Sequence, residues 1–131
     1  MTAIQRIDVS ITTGDNGTDG PVYLGIARRE FNLNKGGRND FRRNSTSRFV
    51  LGGRNNVENV KDPELNDPAA LLKLQVEDVD AFPRYIRYDG GGDWRVTAVT
   101  VTINPDSDER VLQMRGINLM LGPGTGRFLF L

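Results

Sequence analysis

Apolar residues in this chain fall at every second position over several stretches, and that period of two constrains the fold more than any other feature. Ile7, Val9 and Ile11 form one set, and Val22, Leu24 and Ile26 form another. Successive side chains of a strand point to opposite faces, so this spacing marks strands with one buried face. Helical spacing is scarce. The turn-rich run GDNGTDGP, Gly14 to Pro21, ends the first set. Phe31 with Leu33, and Phe49 with Leu51, predict two further short strands, the first followed by NKGGRND and the second running into LGGRNN. Val57 to Pro68 reads as a long polar connection in which two Asp-Pro steps disfavour helix at Asp62 and Asp67. Leu72, Leu74 and Val76 resume the alternation, and Tyr85 to Tyr88 predicts another strand.

The strongest strand signal is WRVTAVTVTIN, which begins at Trp94. Its phase changes inside the segment. Trp94 and Val96 occupy one parity while Val99, Val101 and Ile103 occupy the other, which predicts a bulge near Thr97 and Ala98. Trp94 opens this strand with Val96 on the same face, so it reads as a core residue. Val111 to Met114 and Phe128 to Leu131 complete the set. About eight short strands with no convincing helix predict an all-β chain, an antiparallel two-sheet β-sandwich, with a closed barrel as the alternative. A length of 131 residues suits one domain spanning 1–131.

Composition removes most catalytic chemistry. Histidine is absent, and with it the commonest general base, the usual zinc ligand and every Ser/His arrangement. Cysteine is absent too, so neither disulfides nor thiolate metal sites are available. The acid pairs Asp78 with Asp80 and Asp106 with Asp108 read as solvated loop residues rather than a glycosidase pair. The run GPGTGR from Gly122 lacks the spacing of a phosphate loop and leads into strand-like FLFL rather than a helix, so it reads as a turn. The expectation is a protein that is not an enzyme and requires no cofactor. Seventeen basic and seventeen acidic residues cancel, which gives no global pull toward nucleic acid or an anionic membrane. The first residues lack a secretory signal and no apolar run approaches a membrane span, so the expected chain is soluble and cytoplasmic by default.

Several segments, taken in order, resemble the PLAT domain, the β-sandwich found at the ends of lipoxygenases, pancreatic lipases and polycystins. They are TGDNGTDGPVYLGI from Thr13, NDFRRNSTSRFVLG from Asn39, LLKLQVEDVDAFPRYIRYDGGGDWRVTAVTV from Leu71, and the closing INLMLG and GRFLFL. The resemblance implies two four-stranded sheets and a role in docking proteins or lipids. It also implies calcium as the candidate ion, held by loop oxygens that match Asp19, Asn39, Asp40 and Asp89 here, with Asp15 and Asp93 nearby. The chain departs from the family where an acid often follows NDF, because Arg42 stands there, and where TD would supply an aspartate, because Ser47 does. The preferred reading of Asp15, Asp19 and Asp89 is as turn residues bonding their own backbone.

The departures point toward a protein partner. Arg42, Arg43 and Arg48 surround a polar loop, and Phe41 beside them is, with Phe82, one of two aromatics placed to sit at a loop tip. Arginine makes up fourteen of the seventeen basic residues, and its planar fork suits interfaces. Arg28 to Arg54 holds eight basic residues against two acids, whereas Asn55 to Asp93 holds four against nine, a bipolarity that favours association with a partner or with further copies. The expected function is therefore a module for protein interaction, including self-assembly, with lipid contact as the secondary option. A calcium-dependent carbohydrate-binding sandwich and a structural subunit of a larger particle are the alternatives, and exposure of Tyr23, Tyr85 and Tyr88 distinguishes the glycan binder.

Overall fold

The computed structural model describes residues 2–36, 40–52, 60–70, 73–107 and 109–131. Among the described residues, nine strands form two antiparallel sheets: β1 (Ile7–Thr13), β2 (Val22–Ile26), β3 (Arg29–Asn32), β4 (Ser45–Leu51), β5 (Tyr85–Tyr88), β6 (Trp94–Ile103), β7 (Arg110–Met114), β8 (Leu119–Leu121) and β9 (Phe128–Phe130). One sheet runs β4-β1-β6-β7, with β8 pairing the start of β6; the other runs β3-β2-β5-β9. The sheets are thus five-stranded and four-stranded rather than four and four. The extra strand is β8, whose Leu119–Leu121 pairs with Trp94–Val96 below the bulge, where β7 does not reach.

The period of two does what the physics requires. Ile7, Val9 and Ile11 of β1 are buried, as are Val22, Leu24 and Ile26 of β2, so both sheets turn their apolar parity inward. Each large side chain removed from water in this way contributes about 1.5–3 kcal/mol. The bulge falls where the phase change places it: Thr12 faces Ala98 and Thr13 faces Val96, which leaves Thr97 without a ladder partner. Its carbonyl instead accepts Ile117 N–H at 3.2 Å. The extra residue lets Trp94 and Val96 share the core with Val99, Val101 and Ile103, all fully buried.

The sequence misleads in one segment. Leu74 and Val76 form no strand, and Leu72 lies outside the described residues. Leu74 is buried as a plug, its carbonyl accepting Ile4 N–H at 2.8 Å, and only Gln75 makes an isolated bridge, to Ala3. The chain then makes one short helix, α1 (Asp78–Ala81), which buries Val79. Alternating apolar residues here cap the end of the sandwich rather than pair with a neighbour. Asp80 of that helix accepts hydrogen bonds from Arg110 of β7 and from Arg84 at 2.6 Å, and the Arg110 guanidinium first, then Arg84, holds its carboxyl down to about 2.

Candidate functional site

Three loops meet at one end of the sandwich: residues 14–21 between β1 and β2, residues 40–44 ahead of β4, and residues 89–93 between β5 and β6. Backbone hydrogen bonds stitch them together. Thr18 N–H donates to the Phe41 carbonyl at 2.9 Å, Asn44 N–H to the Gly14 carbonyl at 2.7 Å, and Asp89 N–H to the Pro21 carbonyl at 2.9 Å. The loops approach so closely that two contacts require glycine. A Cβ on Gly17 would lie 2.6 Å from the Phe41 carbonyl oxygen and 2.7 Å from Arg43 N, and one on Gly20 would lie 2.6 Å from the Gly90 Cα.

Beneath the loops sits an aromatic knot. Phe41 packs on Phe49 and Trp94 with ring centroids 5.4 and 5.0 Å away, and Tyr88 meets Trp94 at 5.5 Å. Trp94 Nε1 donates to Thr13 Oγ1 at 3.0 Å, and the Thr18 and Tyr88 hydroxyls share a hydrogen bond of 2.7 Å. Phe41 is 3% exposed, so it is not an aromatic at a loop tip. Its ring is a floor, not a probe, because only the core beside Trp94 offers it apolar neighbours. Phe82 is partly exposed, as the sequence suggests, but it follows α1, away from these loops.

Above that floor lies a cleft of about 690 Å³, walled by Asp19, Arg42, Arg43, Gly91, Gly92 and Asp93. A smaller recess of about 300 Å³ adjoins it on the other side of Asp19 and includes Asp40. The sequence-derived acids do not all converge. Asp19 and Asp93 face the main cleft; Asp40 accepts Lys35 N–H at 3.0 Å; Asp15 pairs with Arg95 at 2.9 Å; and Asp89 sits between Arg87 and Arg127, 3.8 and 3.7 Å away. Asn39 lies outside the described residues. No three acidic side chains form a metal-holding group among the described residues.

Seven of the twelve described arginines are engaged by carboxylates or carbonyls. Arg6 pairs with Asp8, Arg84 and Arg110 with Asp80, Arg87 with Glu30, Arg95 with Asp15 and Arg127 with Asp89. Arg29 donates to the carbonyls of Asp67 and Leu65 at 2.8 and 2.6 Å. Arg28, Arg42, Arg43, Arg48 and Arg115 are exposed and hold no ion pair among the described residues, and of these five Arg42 and Arg43 line the cleft. Arg48 does not join them, because it extends from the outer face of β4 opposite Ser10 and borders a hollow with Arg6 and Asp8. Phe49 and Leu51 point inward, and the pleat therefore sends Arg48 the other way.

On the outer face of the smaller sheet, Tyr85 lies over Gly25, whose added Cβ would stand 2.1 Å from its ring, and its hydroxyl donates to Glu30 at 2.7 Å. Arg87 stacks 4.2 Å above one face of the Tyr23 ring, and Tyr88 is buried and offers no ring face to a sugar. The exposed Phe128 and Phe130 flank Tyr85. No helix among the described residues is long and apolar enough to cross a membrane.

Two facing antiparallel sheets with three loops gathered at one end make a β-sandwich with a PLAT-like fold. The particular likeness is to a crystal structure of a lipoxygenase variant, with a TM-score of 0.53 and 18% identity over 95% of this chain and 16% of that one. This likeness establishes the fold, and the chain spans only 16% of the lipoxygenase's length. No family model matches the chain, and no curated protein matches it.

Proposed function

We propose that this protein is a non-catalytic binding module that takes an anionic protein segment into the cleft at the loop end. The supporting observation is that two exposed arginines without an ion pair among the described residues, Arg42 and Arg43, flank one cleft of about 690 Å³ at the loop end; Arg28, Arg48 and Arg115 are likewise exposed and without an ion pair among the described residues, but none of them lines this cleft. A planar guanidinium grips a carboxylate through two donors, so two such groups on one rim define a receptor for acids. Lipid contact draws less support at this end, since the Phe41 ring is buried.

The test is a fluorescence-anisotropy titration with a labelled glutamate-rich peptide. Arg42→Glu with Arg43→Glu is expected to weaken binding about tenfold or more at low salt, since like charges replace attraction across the rim. Stability should change by about 0.5 kcal/mol or less, because both side chains are exposed. Raising the salt should weaken the parent's binding but not the variant's, since screening there relieves a repulsion. Equal affinity of parent and variant at low salt would return these arginines to a solvated face.

For calcium, the same loops support weak binding only. Asp19 and Asp93 are the carboxylates of the main cleft, short of the six to eight oxygens the ion takes, and Arg42 and Arg43 repel it. Calorimetric titration should show no saturation below about 0.1 mM calcium. Tight saturable binding, or binding that survives Asp19→Asn with Asp40→Asn, would place the ion elsewhere.

A further inference from the structure

We propose that the segment the cleft receives is the turn Lys61–Leu65 of a second copy of this chain, so that the protein self-associates by docking the turn of one copy in the cleft of the next. The proposal rests on the reading of the cleft as a receptor for anionic protein and names its occupant. The cleft is not uniformly positive: Arg42 and Arg43 share it with Asp19 and Asp93. A purely acidic segment would satisfy the arginines and meet two like charges. The cleft therefore fits a segment in which acids predominate and a cation stands beside them.

The turn has that pattern. Lys61, Asp62, Pro63, Glu64 and Leu65 are consecutive and exposed, and neither Asp62 nor Glu64 holds an ion pair among the described residues. Leu65 is 62% exposed, an apolar side chain with no place in this molecule's own core. The turn is also rigid, which lowers the entropy lost on docking. Leu65 and Asn66 N–H both donate to the Asp62 carbonyl, at 3.1 and 3.2 Å. Buried Asn66 accepts Asn32 N–H at 2.8 Å, and Arg29 clamps the Leu65 carbonyl at 2.6 Å. These bonds fix the turn along β3. It shares no residue with the cleft, so one contact consumes the cleft of one copy and the turn of another, the heterologous geometry that builds rings or filaments. Zero net charge leaves no global repulsion to oppose it.

Sedimentation over a range of concentrations at low salt tests this with two variants. The parent should grow heavier than its 14.6 kDa monomer as concentration rises. Arg42→Glu with Arg43→Glu, and separately Asp62→Lys with Glu64→Lys, should each remain monomeric. Mixed in equal amounts they should associate again, because the intact acidic turn of the first meets the intact arginine cleft of the second. That recovery also shows that both variants are folded. A parent that stays monomeric throughout, or a mixture no heavier than its components, overturns the proposal. A monomeric parent that still binds the glutamate-rich peptide through Arg42 and Arg43 would leave the cleft reading standing and remove only the second copy.

Discussion

Trp94→Ala is expected to destabilise the protein by about 3–5 kcal/mol, the range for deleting a large aromatic from a close-packed core. Trp94 is fully buried between the sheets. Its ring touches Phe41 of the 40–44 loop and Tyr88 at the end of β5, so the loss extends beyond its own surface. Its Nε1–H satisfies the Thr13 hydroxyl oxygen in a site without water access, and alanine leaves that polar group with no donor. Domains of this size have only about 5–15 kcal/mol of net stability, so the variant should sit near the threshold of folding. Denaturant unfolding gives the value directly. A loss below about 1 kcal/mol would mean that the core closes without the indole.

The second large effect is expected from Gly17→Val, and it should appear in stability and binding together. The first added carbon would stand 2.6 Å from a carbonyl oxygen and 2.7 Å from an amide nitrogen. Both neighbours are backbone, so no side chain can swing aside, and the 14–21 loop must part from the 40–44 loop. That parting breaks the Thr18 to Phe41 hydrogen bond and displaces Arg42 and Arg43 from the cleft wall. Overpacking of this kind costs about 1–3 kcal/mol. Affinity for the glutamate-rich peptide should fall about tenfold or more. Gly91→Ala is the control, since nothing lies within 4 Å of its Cβ position. It should shift stability by about 0.5 kcal/mol or less. Comparable losses in both variants would show that loop flexibility, not close approach, is what glycine supplies here.

The features legible in the sequence are those that local alternation encodes. Ile7, Val9 and Ile11 announce an inner face, and the parity change after Val96 places the bulge near Thr97 and Ala98, where the ladder skips Thr97. Contacts between distant residues leave no such trace. Phe41 stands alone among polar residues and reads as exposed, yet it is buried against Phe49 and against Trp94, 53 positions away. Asp89 reads as a turn residue bonding its own backbone, with ion binding implied only by the family resemblance, but its carboxylate instead lies near Arg127 ahead of β9 and Arg87 of β5. Gly17 and Gly20 are visible as turn residues, while the backbone they touch is not. The displacement of Arg48 from Arg42 and Arg43 was written in the pleat, since inward Ser47 and Phe49 force it outward. Leu74 and Val76 show the converse: alternation satisfied by capping a core rather than by pairing.

Backbone chemical-shift mapping with the glutamate-rich peptide tests the central claim most directly, because it reports where binding occurs as well as whether it does. The expected result is a saturable shift of amides at 17–20, 41–43 and 91–93, small elsewhere, and abolished in Arg42→Glu with Arg43→Glu. Shifts confined to the outer face of β5 and β9, around Tyr85, Phe128 and Phe130, or no saturable shift at the loop end, would contradict a receptor built from Arg42 and Arg43.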